Sequence, residues 1–175
     1  FVAPVTWAAT YFGKRATFMV FLAVNLLGHV SKIWCYDPAH PWLVVIPPAL
    51  VSAGFVSLWV VGLSMIADIC DLDELDTGNH RAGSYQAVYG WIVKTGISVS
   101  TLISGILLVQ IGFDAELAVQ SAETILRLRV LEATIPALAT AAAIAVIARY
   151  PLSESRVHEI RAALGKRSGL ADEET

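Results

Sequence analysis

Residues 85–113 read YQAVYGWIVKTGISVSTLISGILLVQIGF, and Lys94 is the charged residue near their middle. About 20 apolar residues in helical form are enough to cross a hydrocarbon core about 30 Å thick. A lysine at the centre of a bilayer costs roughly 2.5 to 3.5 kcal/mol on insertion scales, so it usually faces a cavity, a partner charge or a transported ion. The stretch therefore predicts a membrane-spanning helix in which Lys94 has a functional or charge-paired role.

The rest of the chain has the same membrane-like composition. Of its 175 residues, 56% are hydrophobic and 15% are charged, and the mean hydropathy is +0.64. A soluble domain of this length rarely has such a composition. The apolar blocks predict complete spans at residues 16–34, 42–67, 85–113 and 130–147, and the end of a fifth span at residues 1–10. We therefore predict an all-α, polytopic membrane helix bundle.

The two ends of the chain differ in character. The chain begins with Phe1, and its first ten residues are apolar but too short to cross a bilayer. They lack the positively charged region and cleavage site of a signal peptide, so we expect a fragment without its N-terminal part. The polar tail at residues 153–175 predicts a short amphipathic helix with Val157, Ile160 and Leu164 on one face, followed by disorder.

Basic residues are distributed unequally between the two membrane sides if the spans alternate. Eight share one side: Lys14, Arg15, Arg81, Arg149, Arg156, Arg161, Lys166 and Arg167. Three share the other: Lys32, Arg127 and Arg129. Because short cytoplasmic connections carry the excess of Lys and Arg, we expect a multi-pass protein of the plasma (inner) membrane with a cytoplasmic C-terminus. Trp34, Tyr36 and Trp42 fit an aromatic belt at the outer interface.

The two cysteines, Cys35 and Cys70, fall at opposite ends of consecutive predicted spans. A hydrocarbon thickness separates them, whereas a disulfide allows about 6 Å between its Cα atoms. Both thiols are therefore predicted to be unpaired.

Polar and small residues recur on one face of the third complete span. Gly90, Lys94, Ser98, Thr101 and Gly105 follow one another at spacings of three or four residues, and the remaining positions are mainly Val, Ile and Leu. Small residues also mediate close packing of membrane helices, which is the alternative explanation for Ser98, Thr101 and Gly105. For Lys94 we favour a position lining a pathway, with Ser98 and Thr101 beside it.

The first complete span repeats this pattern with Asn25, His29 and Lys32. Lys32 lies near the predicted outer interface, so we expect its side chain to extend toward water for a structural reason. Asn25 and His29 either make interhelical hydrogen bonds or line a pathway, and the spacing alone leaves both possibilities open.

The second complete span contains two features that are unusual in a helix. Pro47 and Pro48 remove backbone donors, so a kink is expected near Pro47. Trp59 lies well inside the span, away from the interfaces, and is either a core residue or a platform that lines a cavity. An indole ring can stack on the flat C–H face of a sugar.

The connection predicted at residues 68–83 is rich in charge. Its charged and titratable residues are Asp68, Asp71, Asp73, Glu74, Asp76, His80 and Arg81. Carboxylates suit Mg²⁺ or Ca²⁺, and an Asp-x-x-Asp pair is also found in lipid phosphotransferases. The further Asp-Gly, Ala-Arg and Asp-x-x-x-Asp elements of such enzymes are missing, so a solvated loop with helix caps is the better alternative to a functional one.

A longer pattern resembles a known family. Residues 59–83 read WVVGLSMIADICDLDELDTGNHRAG and are followed by Lys94-Thr95-Gly96. This pattern resembles the glycoside-pentoside-hexuronide:cation symporters, the melibiose-carrier-like branch of the major facilitator superfamily. Residues 12–15 resemble that family's turn between helices eight and nine, and residues 149–152 the exit from helix twelve. The resemblance implies the C-terminal part of a 12-helix transporter, with the four complete spans as helices nine to twelve.

The resemblance also implies roles by position. It assigns substrate binding to Lys94, Trp59, Tyr89, Gly90 and Val93. It assigns a cytoplasmic gate, made of charged pairs that help to close the pathway, to Asp68, Asp71, Glu74, Gly78, Arg81 and Gly83. The cation-coordinating aspartates of the family belong to its N-terminal half, so a coupling Na⁺ or H⁺ is expected to bind mainly there. No other cofactor and no metal site are expected in this chain.

The sequence departs from the family pattern at several positions. Ala82 stands where a glutamate is common, and Leu72 replaces a frequent aromatic residue. Tyr89 and Gly90 stand where melibiose carriers have glutamine and threonine, which removes hydrogen-bonding groups for a sugar. We therefore do not expect melibiose to be the substrate.

The resemblance implies a secondary active transporter, a Na⁺- or H⁺-coupled sugar or glycoside symporter that works by alternating access, and not an enzyme. Two alternatives remain open. One is a major-facilitator transporter of another substrate class, such as a lipid or a sulfonated sugar, and the other is a non-transporting membrane protein. The expected partners are membrane lipid, a small sugar or glycoside and the N-terminal half of the same protein, and no nucleic acid.

Overall fold

The computed structural model describes residues 1–37, 39–152 and 154–173, with side chains described as far as residue 167. Its helices are α1 (Val2–Phe12), α2 (Lys14–Cys35), α3 (Ile46–Ser57), α4 (Leu63–Thr77), α5 (Ala82–Gln110), α6 (Ala122–Ile147) and α7 (Glu154–Glu173). A 3₁₀ turn at Pro41–Val45 precedes α3, and a π-helical turn at Leu58–Gly62 joins α3 to α4.

Four helical segments are long and apolar enough to cross a membrane. They are Lys14–Cys35, Pro41–Thr77, Ala82–Gln110 and Ala122–Ile147. The predicted all-α, polytopic bundle is confirmed in these four segments. Helix α6 begins well before the predicted residue 130, because the Ser121 side chain caps it by accepting a hydrogen bond from the Thr124 backbone amide at 3.1 Å.

The predicted connection at residues 68–83 is wrong for most of its length. Helix α4 continues to Thr77, so only residues 78–81 separate it from α5. The first helix-ending residue is Gly78, which has a left-handed φ of 71° and donates its amide to the Glu74 carbonyl at 2.8 Å. The loop was predicted from the charge of the acidic residues before Gly78, and these residues are compatible with a helix.

The proline pair lies where a helix tolerates it. Pro47 and Pro48 occupy the first turn of α3, directly after the 3₁₀ turn, where a backbone donor has no partner inside the helix. The second irregularity of this segment, the π-helical turn at Leu58–Gly62, was not predicted. It contains Trp59.

The packed part of the bundle centres on α2, which lies against α3 and α6. Glycines permit the crossing with α3. A Cβ atom on Gly54 would lie 2.3 Å from the Cβ of Asn25, and one on Gly28 would lie 2.9 Å from the Val51 backbone nitrogen. Only residues without a side chain allow helices to approach this closely.

Two predictions about the chain's thiols and tail have different outcomes. Cys35 and Cys70 are unpaired, which confirms that prediction. The tail prediction is wrong in part, because α7 remains helical to Glu173 instead of becoming disordered after a short helix. Val157 and Ile160 are buried, so the apolar face of α7 packs against the bundle.

Candidate functional site

The polar face of α5 is narrow and uncovered. At about 100° per residue, Gly90, Ser98, Thr101 and Gly105 all lie within about 40° of Lys94 around the helix axis. The side chains of Lys94, Ser98 and Thr101 are exposed. No heavy atom of the described residues lies within 4 Å of the position that a Cβ atom would take on Gly90 or Gly105.

The hydroxyl groups of this face are satisfied by their own helix. Ser98 donates to the Lys94 carbonyl at 3.0 Å, and Thr101 donates to the Ile97 carbonyl at 2.9 Å. The Lys94 ammonium has no ion-pair partner among the described residues. Among the described residues, this face therefore presents an unpaired ammonium beside two hydroxyls that each already donate a hydrogen bond.

Two grooves lie along the other sides of α5, one against α4 and one against α6. Tyr85 and Tyr89 line a groove of about 450 Å³ against Ile66 and Ile69 of α4. Facing α6, a second groove of about 480 Å³ is lined mainly by small and apolar residues, including Gly96, Ser100, Ile103, Leu131 and Pro136. Apart from Leu108, which lies about 40° from Lys94, the α5 residues that line the two grooves lie about 80° or more from Lys94 around the axis, so the lysine faces away from most of both linings.

The residues implied to bind substrate are therefore only partly brought together. Gly90 shares the face of Lys94, and Val93 lies about 100° from it around the helix. Tyr89 lies about 140° away on the α4 side, where its hydroxyl is buried and unpartnered among the described residues. Trp59 is 41% exposed, so it is not a core residue, and its ring packs edge-on against Phe55 at 6.3 Å between centroids.

Asn25 lies in the packing of three helices. Its side chain is 8% exposed and donates to the Val51 carbonyl of α3 at 2.8 Å. The Thr140 hydroxyl of α6 donates to its amide oxygen at 3.1 Å. Asn25 thus makes the interhelical hydrogen bonds that the sequence left open as the alternative to lining a pathway.

An ion pair that sequence analysis missed lies about two turns further along α2. Lys32 bonds to Glu132 of α6 with 2.8 Å between Nζ and Oε1, and its side chain is 11% exposed. The expectation that Lys32 extends toward water is therefore wrong, because a carboxylate on the neighbouring helix holds it inside the packing. Glu132 within a predicted span was the available signal. His29 is also buried, and its Nδ1 has no partner among the described residues.

A second charged cluster joins α2, α4 and α7. We call this part of the bundle the charged end; it comprises residues 13–15, 68–81, 149–152 and 154–167. Both carboxylate oxygens of Asp68 bond to Lys14 Nζ, at 2.8 and 2.6 Å. Arg161 of α7 donates to Asp68 through Nη2 at 2.8 Å and to Asp71 through Nε at 3.3 Å. Asp68 is 2% exposed.

The other residues implied to form a gate make other contacts. Glu74 bonds to His80, and this hydrogen bond and the negative charge of Glu74 raise the pKa of His80. Gly78 ends α4 beside the Arg167 guanidinium. Arg81 and Gly83 are exposed at the start of α5.

Tyr150 lies at the same end of the bundle, near Asp68 and Glu154. Its hydroxyl donates to the Met65 carbonyl at 3.4 Å. Burial, followed by the negative charges of Asp68 and Glu154, raises the pKa of Tyr150 to about 12. The tyrosine is thus neutral at physiological pH. Among the described residues, no group of three His, Cys, Asp or Glu side chains is placed to hold a metal ion.

These features define a membrane bundle with an uncovered polar face and a charged end, and the family comparison agrees. A family described as MFS/sugar transport protein matches residues 1–154. The chain belongs to this family of the major facilitator superfamily, and it is a multi-pass membrane protein. The predicted resemblance to the sugar symporters of this superfamily is confirmed.

Similar proteins carry symporter names. "Uncharacterized symporter sll1374" of Synechocystis is 25% identical over 81% of this chain and 27% of its own length. "Uncharacterized symporter YjmB" of Bacillus subtilis is 25% identical over 85% of this chain and 32% of its own. "Putative glycoside/cation symporter YagG" of Escherichia coli is 24% identical over 55% and 21%. The chain thus spans about a third or less of these relatives. No solved structure matches it.

Proposed function

We propose that the protein is a secondary active symporter that couples uptake of a sugar or glycoside to entry of Na⁺ or H⁺. The observation that carries this proposal is the uncovered face of α5, where a lysine with no ion-pair partner among the described residues lies within a helix long enough to span a membrane. Such a residue marks a substrate or ion pathway more often than a packing site. Membership in the sugar-transport family and the names of the relatives support the same function.

In the proposed mechanism this chain is the C-terminal part of the transporter, and its polar face meets the N-terminal half across a central pathway. The two halves rock about a site near the middle of the membrane, so that access alternates between the two sides. Carboxylates of the N-terminal half bind the coupling cation. Lys94 compensates their charge when the site is empty and releases them when the cation enters.

The polar face supplies the proposed pathway residues. Lys94 and Gly90 contact the substrate, Val93 borders it, and Ser98 and Thr101 line the path. The exposed indole of Trp59 serves as a stacking platform for a sugar ring. Tyr89 contributes from the flank, where its buried hydroxyl has no hydrogen-bond partner among the described residues and can bond to a ligand or helix once the groove opens. We leave Asn25 and His29 out of the pathway because both are buried in helix packing.

The proposed orientation places the charged end and the C-terminus in the cytoplasm of a cell whose plasma (inner) membrane holds the protein. The excess of basic residues at that end supports this orientation. The gate residues Asp71, Glu74, Gly78, Arg81 and Gly83 then lie on the cytoplasmic side, where ionic contacts form in one state and break in the other.

A second substrate class deserves a direct test. The free cation of Lys94 favours an anionic sugar, such as a hexuronide or a sulfonated sugar, over a neutral disaccharide. Gly90 brings no side-chain hydrogen bond to a neutral sugar. The alternative of a lipid substrate on the same fold predicts instead that no soluble sugar is taken up.

The test is uptake of radiolabelled glycosides, pentosides, hexuronides and a sulfonated sugar by vesicles that contain the complete protein, under imposed Na⁺ or H⁺ gradients. We expect gradient-driven uptake of at least one compound, and its loss in Lys94→Ala. Lys166→Ala is the matched control, since it removes a lysine from the exposed surface of α7. Absence of gradient-dependent uptake for every compound, or full activity of Lys94→Ala, would contradict the proposal.

A further inference from the structure

Helix α7 is attached to the charged end by packing and by directed bonds. Val157 is 5% exposed and Ile160 is 1% exposed. At the first turn of α7, Glu154 Oε1 accepts a hydrogen bond from the Lys14 backbone amide at 2.8 Å. Gly13 leaves room for this contact, because a Cβ atom on it would lie 3.1 Å from Glu154 Cγ. The contacts join α7 to the start of α2.

Arg161 links the same helix to α4, but it does not hold its two carboxylates equally. Asp68 is 2% exposed and accepts two bonds from Lys14 as well as one from Arg161. Breaking a buried ion pair of this kind leaves an uncompensated charge, which is strongly unfavourable. Asp68 therefore acts as a fixed point in this inference, in contrast to the gate role that the resemblance implied for it.

Asp71 has the opposite character. Its side chain is 31% exposed, and its bond to Arg161 is 3.3 Å long, compared with 2.8 Å for the bond to Asp68. The Arg161 side chain itself is 51% exposed. Ion pairs that water can reach contribute little to stability, so a second cation can displace Arg161 from Asp71 at low cost.

We propose that α7 is a brace across the charged end. Arg161 keeps Asp68 bonded within this half, so that Asp68 takes no part in the gate. Arg161 also competes for Asp71 with a basic residue of the opposite half. When the opposite half approaches, its cation replaces Arg161 on Asp71 and the gate closes. When it withdraws, Arg161 takes the carboxylate back and favours the open gate. This inference rests on the proposed transport function.

The test measures KM and maximal rate of uptake in the complete protein for four forms: wild type, Arg161→Gln, Asp71→Asn and the double variant. When Arg161 is removed, Asp71 stays bonded to the basic residue of the opposite half and the gate stays closed. We therefore expect Arg161→Gln to lower KM and maximal rate together by about fivefold, the lower end of typical coupling between sites. In the Asp71→Asn background the same change should alter KM less than twofold, because the contested carboxylate is gone.

Two further variants separate this effect from loss of structure. Lysine is a compact point charge that cannot bridge two carboxylates as the arginine fork does. Arg161→Lys should therefore keep the wild-type thermal midpoint by retaining Asp68, yet show the lowered KM of Arg161→Gln. Lys166→Gln removes a charge from the exposed side of α7 and should leave KM and maximal rate unchanged.

The outcomes distinguish the brace from the transport function. If wild-type protein transports a sugar and Arg161→Gln has an unchanged KM, the brace is wrong and the transport function stands. An equal effect of Arg161→Gln with and without Asp71 also overturns the brace, since it shows no competition. If wild-type protein transports no compound under any gradient, the proposed function itself fails.

Discussion

Helices α2 and α5 carry the same kind of polar stripe, yet the structure uses the two stripes in opposite ways. The stripe of α2 (Asn25, His29 and Lys32) is buried, and two of its members bond to α3 or α6. The stripe of α5 (Gly90, Lys94, Ser98, Thr101 and Gly105) meets no other described helix. Periodicity shows that a helix has a polar face, and only the neighbouring residues decide whether that face holds helices together or remains available to a ligand.

The largest effect is expected where α2 and α3 cross. Gly54→Leu places a side chain where a Cβ atom alone would lie 2.3 Å from Asn25, so the helices must separate. We expect a destabilisation of about 3 kcal/mol or more, at the upper end of overpacking effects. The measurement is the thermal midpoint of the complete protein in detergent.

Gly105→Leu is the matched control for that experiment, because it adds the same side chain to the uncovered stripe of α5. Its thermal midpoint should stay close to that of wild type. Equal losses in the two variants would contradict the contrast between the helices, since they would show that α5 is packed as tightly as α2.

The next largest effect is expected at the ion pair between α2 and α6. Glu132→Gln leaves the ammonium of Lys32, whose side chain is 11% exposed, without its carboxylate. Breaking a fully buried pair costs about 3 to 5 kcal/mol. Because Glu132 is 45% exposed, water compensates part of this loss, and we expect about 1 to 2 kcal/mol.

Glu123→Gln tests whether that loss is specific. Glu123 pairs with Arg127 on the same helix, and both side chains are exposed. Pairs of this kind contribute about 0.3 to 0.5 kcal/mol, so the thermal midpoint should scarcely change. Should Glu132→Gln prove as mild as Glu123→Gln, Lys32 would be reaching water after all.

A smaller effect separates the hydrogen bonds of the two stripes. Asn25→Ala removes bonds to α3 and to α6, whereas Ser98→Ala removes a bond within α5 alone. We expect Asn25→Ala to destabilise by about 1 to 2 kcal/mol and Ser98→Ala by less than about 0.5 kcal/mol. Thermal unfolding of both variants checks this order, and a reversed order would show that the polar face of α5 is held by contacts of its own.

Much of the fold could be predicted because membrane spans are recorded in runs of apolar residues. The four spans and the unpaired cysteines needed no knowledge of tertiary contacts. The end of α4 was misplaced because Asp71 and Glu74 suggested a loop, although the chain meets no helix-ending residue before Gly78. Charge density predicts exposure to water, and it does not decide between helix and loop.

The site was less predictable than the fold. Lys94 could be found from its position in an apolar run, since that signal needs only the sequence of one helix. The bonds of Arg161 to Asp68 and Asp71 could not be predicted from the sequence, because they join residues about ninety positions apart. Pairing across such a distance depends on how α7 folds back on α4, which no local pattern records.

The smallest effect concerns the short connection that ties α5 to α4. His80 bonds to Glu74, and this contact raises the pKa of His80 above its ordinary value of 6.5. A raised pKa in the folded state stabilises that state fully below pH 6.5, and the contribution is lost as pH rises through the folded-state pKa. His80 is exposed, so we expect only a slight fall in the thermal midpoint between pH 6 and pH 8. Glu74→Gln should flatten this dependence.

His40→Gln is the control, because His40 is exposed on another connection, and it should keep the wild-type dependence on pH. If Glu74→Gln and wild type have the same pH profile, the contact does not stabilise the connection.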